Sequence, residues 1–262
     1  MLVTAALAGL LIGLALGLLG AGGSILAVPA LVYVAAQPLS AAVPTSLLVV
    51  GASAAAAVVP RLRAGIVHWP VALIFSAVGI PATIAGATLG QLMPPRLRLL
   101  GFAVVMTVVA LRMFGEPAAA GPAACQAKNG LVSWKTCLPL VLAAGAFVGV
   151  LTGLFGVGGG FLIVPALSLL LGINASAAVG TSLVIITINS VAGLIAHTNV
   201  ALDWAIVGNF AGAAVLAALG AGALATRLPA RTVRRAFVYA VLVLAVVIAV
   251  TAVVAPATVL AH

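Results

Sequence analysis

The feature that most constrains this chain is a duplication centred on a glycine-rich break. The segment GLLGAGGSILAVPAL, residues 17–31, returns as GLFGVGGGFLIVPAL at residues 153–167, and ten of the fifteen positions are identical. The same offset of 136 residues holds upstream through Gly9, Gly13 and Gly17 and downstream into a Thr-Ser-Leu motif. These three glycines recur every four residues, and we expect their stripe to pack closely against a neighbouring helix. After a one-residue slip, Trp69 aligns with Trp204. The chain is therefore two copies of one unit of about 115 residues.

Composition places both copies in a membrane. Hydrophobic residues make up 65% of the chain and charged residues 5%, whereas a soluble domain carries about 25% charged residues. The apolar runs are continuous and not alternating, which favours helices over membrane strands. The sequence predicts an all-α polytopic membrane protein, with the lipid bilayer as a partner. We interpret the net charge of +9 as arginines at span ends and expect no nucleic-acid partner.

Each copy is predicted to contain five apolar segments, and the second of them is short. At 1.5 Å per residue, Ser24 to Ala36 spans roughly 20 Å, too little to cross a hydrocarbon core of about 30 Å upright. Short segments interrupted by glycine at matching positions are typical of broken or re-entrant helices in transporters. The predicted boundaries are residues 1–115 for the first repeat, 116–137 for a linker loop and 138–262 for the second repeat.

An odd number of segments per copy predicts that the two repeats are inverted. An inverted arrangement puts nine basic residues on one side and leaves two on the other, Arg96 and Arg98. The nine are Arg61, Arg63, Arg112, Lys128, Lys135, Arg227, Arg231, Arg234 and Arg235. Because basic loops stay in the cytoplasm, we expect a cytoplasmic central loop and both termini outside.

The two glycine breaks form the candidate substrate site. A helix start carries unpaired N–H groups and a partial positive charge that attracts anions. In lipid, exposed backbone is tolerated only where it lines a cavity or is buried in protein. We therefore expect the breaks to face each other near the midplane around a small anion. Their residues are Gly20, Gly22, Gly23 and Ser24, with Gly156, Gly158, Gly159 and Gly160. The alternative is that these glycines only permit tight turns and packing.

A second group of candidates consists of polar residues in or near the third segments. Thr45, Ser46, Thr181 and Ser182 either coordinate substrate or bond to their own helix. Asn189 either pairs with a neighbouring helix or faces the cavity.

Two further residues and two cysteines complete the sequence candidates. His197 and Asp203 are weak candidates for a proton relay, and a solvated surface position is the alternative. Cys125 and Cys137 fit no metal spacing and are read as incidental thiols. We expect no metal, no cofactor and no enzyme, since the segments hold no convincing nucleophile–base pair.

The doubled GxxGxGG(S/G)xxxVPxL motif with its following TSL resembles the TauE/SafE sulfite-exporter family of membrane permeases. The resemblance implies transport of small sulfur-containing anions, such as sulfite or sulfonates, across a bacterial plasma (inner) membrane. By this likeness the glycine motifs carry the site. The expected function is export by alternating access. Proton-coupled uptake of a small organic anion and a non-transporting accessory subunit are the alternatives, and a homo-oligomer stays open. Ser24 against Gly160 and Pro44 against Gly180 depart from equivalence, so the two half-sites differ.

Overall fold

The structure is a computed structural model that describes most of the membrane segments. The described residues are 2–19, 27, 31, 39–114, 134–155, 160–173, 175–195 and 204–225, with ten further helical positions between 235 and 250. All regular structure in these ranges is helical, as the composition predicts. The elements are α1 Leu2–Leu19, α2 Leu39–Arg63, α3 Trp69–Gln91, α4 Pro95–Phe114, α5 Trp134–Phe155, α6 Gly160–Pro165, the π-helix π1 Ala166–Leu170, α7 Ala175–Ile195 and α8 Trp204–Ala225.

Several described helices are long and apolar enough to cross a bilayer. Four meet that criterion within the described ranges, over Pro44–Arg63, Trp69–Gly90, Cys137–Leu154 and Ser176–Ile195. Two shorter apolar helices cover Leu100–Arg112 and Val207–Gly222. Large apolar side chains such as Leu11 and Leu216 remain exposed on the outside of the bundle, where a bilayer would cover them. The prediction of an all-α polytopic membrane protein is confirmed.

Helix α2 ends later than the sequence suggested, and a glycine explains the difference. Pro60 predicts that the apolar segment ends at Val59, but the helix continues to Arg63. Its end is a Schellman motif, in which Gly65 N–H donates to Leu62 O at 3.0 Å and Ile66 N–H donates to Arg61 O at 3.4 Å. Gly65 has a φ of 66°, a left-handed conformation that glycine adopts without strain.

The first apolar segment of each repeat packs against the fourth segment of the other repeat, when the short segment is counted as the second. Three glycines on α1 lie against backbone carbonyls of α8, one turn apart. The pairs are Gly9 with Phe210, Gly13 with Ala214 and Gly17 with Ala218. Residue numbers rise together on both helices, so α1 and α8 run parallel. Small residues let membrane helices approach this closely, and the predicted packing role of these glycines is confirmed.

The second repeat makes the same contact with equivalent residues. Glycines of α5 lie against α3, and the pairs are Gly145 with Phe75, Gly149 with Gly79 and Gly153 with Thr83. At the 135-residue offset these α3 residues correspond to those that α1 meets on α8. The packing of the two halves is therefore reciprocal in detail.

The third helices, α2 and α7, cross each other in opposite directions. Arg61 lies beside Gly180, Gly51 beside Ser190, and Leu47 beside Gly193. Numbers rise along α2 as they fall along α7, so this equivalent pair is antiparallel. That is the relation an inverted repeat requires of these two helices, while inversion of the complete halves stays a prediction.

Cys137 differs from its predicted state. It is fully buried near the start of α5 and is disulfide-bonded. The interpretation of the cysteines as incidental thiols is therefore wrong for Cys137. The second cysteine, Cys125, lies outside the described residues.

We predict that Gly149→Ala lowers the thermal unfolding midpoint of the purified protein. A Cβ at this position would lie 2.6 Å from Gly79 O and 2.8 Å from Ala82 Cβ, so α3 and α5 must separate. Overpacking of this kind costs about 1–3 kcal/mol. Gly212→Ala is the matched control, because a Cβ there meets no atom within 4 Å. Equal midpoints for the two variants would contradict the packing role.

Candidate functional site

The short segment after the second glycine break lies inside the protein. Helix α6 has 6 residues and π1 has 5, which at 1.5 Å per residue is about 16 Å of helix. Six consecutive side chains, from Leu162 to Leu167, are buried, whereas Leu170 at the end of π1 is exposed. The segment ends at Gly172, which has a φ of 67°. A helix this short cannot cross the bilayer, and most of its length is enclosed by the protein.

The equivalent segment of the first repeat shows the same burial at the two positions described. Ala27 and Leu31 are helical and have 0% exposed surface. At the 136-residue offset they correspond to Ile163 and Leu167, which are 2% and 0% exposed. The short segments of both repeats therefore present an equivalent face to the protein interior.

Most of the predicted glycine site lies outside the described residues. Gly160 is the exception: it is buried and is the first residue of α6. The others outside the described ranges are Gly20, Gly22, Gly23, Ser24, Gly156, Gly158 and Gly159. Their opposition around an anion stays a prediction. One observation agrees with this prediction: the short helix begins immediately after the second glycine run, and it is buried.

Two of the predicted hydroxyls of α7 have partners within the protein. Thr181 Oγ1 accepts a hydrogen bond of 3.1 Å from the backbone N–H of His68, the residue before α3. Ser182 Oγ donates to Val179 O at 2.8 Å. Thr181 therefore joins α7 to the start of α3, and Ser182 bonds to its own helix, one of the two roles that the sequence left open.

The equivalent residue in α2 has a different environment. Thr45 is fully buried, and its hydroxyl has no hydrogen-bond partner, although Thr45 and Thr181 occupy matching positions of the repeats. Ser46 is also buried, with 5% of its surface exposed. A buried hydroxyl without a partner is unfavourable unless a bound group satisfies it. Thr45 is thus the better placed of the two threonines to contact a substrate.

Asn189 has an unsatisfied oxygen as well, and so does its counterpart in the first repeat. Asn189 Oδ1 and Ser53 Oγ are both buried without a hydrogen-bond partner. The 136-residue offset makes them equivalent positions of α7 and α2. Ser53 was not among the sequence candidates, although applying the repeat offset to Asn189 identifies it. Helices α2 and α7 thus carry unsatisfied polar groups at this matching position, and α2 carries a second one at Thr45.

The structure also corrects the predicted environment of one arginine. Arg61, predicted as a residue at a span end, has only 4% of its surface exposed. Its Nη1 donates to Ala57 O at 2.9 Å and its Nη2 to Gly17 O at 3.2 Å. Arg63, two residues on, is exposed. Sequence alone could not separate them, because burial here depends on which side of α2 meets the other helices.

The remaining candidates are not tested by the geometry. His197 and Asp203 lie outside the described residues, so the weak proton-relay prediction stays a prediction. In the part of the chain that the structure describes, no group of three His, Cys, Asp or Glu could hold a metal ion.

Comparison with known proteins decides the family. The profile of the sulfite exporter TauE/SafE family matches residues 5–248, which is nearly the whole chain. The chain belongs to the TauE/SafE family. This membership agrees with the doubled glycine motif and makes the protein a member of a membrane-transporter family.

Curated relatives of this TauE/SafE protein carry transporter names. A probable membrane transporter protein of Xylella fastidiosa (strain 9a5c) is 37% identical over 226 residues, which cover 84% of this chain and 82% of the relative. The probable membrane transporter protein YunE of Bacillus subtilis (strain 168) is 29% identical over 209 residues, covering 72% and 75%. No solved structure matches the chain.

We predict that the equivalent substitutions Thr45→Val and Thr181→Val differ in their effect on the free energy of unfolding. Thr181→Val removes the acceptor of His68 N–H and should lower the free energy of unfolding by about 1 kcal/mol. Thr45→Val removes a buried hydroxyl without a partner and should leave stability unchanged or higher.

Thermal unfolding in detergent measures both effects. Because the substitutions are isosteric and occupy matching positions, each is the control for the other. Destabilisation by Thr45→Val as large as that by Thr181→Val would show that Thr45 has a structural partner and would remove it from the site.

Proposed function

We propose that this TauE/SafE protein exports a small sulfur-containing anion, such as sulfite or an organosulfonate, through a site formed by the two glycine breaks. The observation that carries the proposal is the buried short helix that begins at Gly160, directly after a glycine run, in a chain of this family. The N–H groups of its first turn have no acceptor within their own helix and so can face an anion. The family description supports a sulfur oxyanion as the substrate.

Alternating access between two inverted repeats is the proposed mechanism. Two features support it: the antiparallel crossing of α2 and α7, and the reciprocal packing of α1 on α8 and of α5 on α3. In transporters of this design, one repeat rocks against the other around a site near the midplane. The repeat boundaries at residues 1–115 and 138–262, with the linker between them, belong to the same proposal.

The membrane potential is sufficient to drive export of an anion. One elementary charge moving across 100 mV gains about 2.3 kcal/mol, which corresponds to a concentration ratio of about 50. The sequences of the described helices contain no Asp or Glu, so they supply no carboxylate for proton coupling. Export driven by the membrane potential needs no such carboxylate and is therefore compatible with these helices.

Flux in proteoliposomes tests the function. We expect a potential that is negative on the inside to accelerate efflux of sulfite or methanesulfonate, and a pH gradient alone to have no effect. Gly159→Leu should abolish flux because its side chain would cover the proposed amides, while Gly212→Leu, on the outer face of α8, should transport normally.

Three results of this assay would contradict the proposal in different ways. Uptake driven by a pH gradient would indicate the alternative of proton coupling, with His197 or Asp203 as the residues to examine. Absence of flux for every anion would favour an accessory subunit. Normal flux by Gly159→Leu would show that the site lies elsewhere.

We propose that the central loop faces the cytoplasm of a bacterial cell and that both termini face outward from its inner membrane. Nine basic residues against two support this orientation. The disulfide at Cys137 favours the opposite face, because disulfides persist in oxidising compartments. We give the charges more weight, because they act on every short loop as the spans insert.

Cysteine labelling distinguishes the two orientations. In a chain with Cys125→Ala and Cys137→Ser, we expect Lys128→Cys to react with a membrane-impermeant maleimide in inside-out vesicles and not in intact cells. Ala261→Cys, at the outer terminus, should show the reverse pattern. Labelling of Lys128→Cys in intact cells would mean that the disulfide, and not the basic residues, reports the topology.

A further inference from the structure

Arg61 is a buried cation at a junction of both repeats. Among the described residues, Arg61 is the one charged residue whose side chain is buried. Besides its own helix α2, it lies beside α1 through Gly17 O, beside α7 through Gly180 and beside α8 through Gly222. Helices α1 and α2 belong to the first repeat and the other two to the second. A movement of one repeat relative to the other would therefore change the contacts of this guanidinium.

The guanidinium points to the end of α1 that leads into the first glycine break. Its Nη2 donates to Gly17 O, in the last turn of α1 and three residues before Gly20. The hydrogen bonds to Gly17 O and Ala57 O use two of the five N–H donors of an arginine. Gly180 and Gly222 lie directly beside this side chain, since a Cβ there would make van der Waals contact with Arg61 Cδ at 3.4 Å and with Arg61 Nη1 at 3.7 Å.

The charge has no acidic partner among the described residues. The chain contains only two acids, Glu116 and Asp203, and both lie outside the described ranges. Carbonyls at helix ends offset part of a buried positive charge, but a buried ion without a full counter-charge is unfavourable in protein. A small anion would supply the missing charge, and the forked guanidinium fits two oxygens of one oxyanion.

We propose that Arg61 is an anion-binding residue of the transport pathway, which receives the substrate at the loop-bearing face. The inference rests on the proposed function and adds a selectivity for oxyanions with two available oxygens over halides. It differs from a purely structural role, in which the two carbonyl bonds would be the whole purpose of the side chain.

The test compares Arg61→Gln and Arg61→Lys with Arg63→Gln. Arg63→Gln removes the same charge two residues away on the exposed side of α2 and controls for surface potential. We expect Arg61→Gln to raise the KM for methanesulfonate at least tenfold and to abolish its thermal stabilisation of the protein. Arg61→Lys should keep binding but lose the preference for methanesulfonate over chloride. Arg63→Gln should change KM less than twofold.

The opposite results would overturn the proposal. If Arg61→Gln folds and shows the same KM and the same methanesulfonate stabilisation as Arg63→Gln, Arg61 only joins helices. If Arg61→Gln does not fold, Arg61→Lys decides: an unchanged preference over chloride contradicts the proposal, and so does a failure of both variants to fold. Wild-type protein that is stabilised by methanesulfonate through Arg61 but transports nothing would refute the transport function and leave this binding site standing.

Discussion

The structure depends on one requirement of the bilayer: backbone N–H and C=O groups must be satisfied within the protein wherever water is absent. A helix that breaks at a glycine run violates this requirement unless other helices enclose it. In the second repeat, the short segment that follows the glycine run is enclosed in this way, because its side chains from Leu162 to Leu167 are buried.

Close backbone contact between the halves provides that enclosure. Glycines at every fourth position of α1 and α5 bring these helices against carbonyls of α8 and α3. Each contact joins the first helix of one repeat to the fourth of the other, so neither repeat is packed independently. A change at one of these contacts therefore affects helices of both repeats.

The reciprocal packing also explains why equivalent residues have diverged in role. Thr181 accepts a hydrogen bond from His68 N–H, whereas Thr45 has no partner. Arg61 is held by carbonyls of α1 and α2, while the matching residue at the 136-residue offset is His197. Matching positions of the two repeats therefore need not have the same role. The duplication preserves the architecture, and individual side chains differentiate the two faces.

The sequence by itself determined the membrane class, the duplication, the helical segments and the short segment at Gly160, because hydropathy, repeat offset and segment length are local properties. It also identified the packing glycines from their four-residue spacing. The packing of the helices was needed to show that Arg61 is buried and Arg63 exposed, that Ser53 and Asn189 lack hydrogen-bond partners, and that α2 continues past Pro60 to Arg63. These outcomes depend on which face of α2 meets other helices and on a left-handed glycine, and neither follows from apolar periodicity.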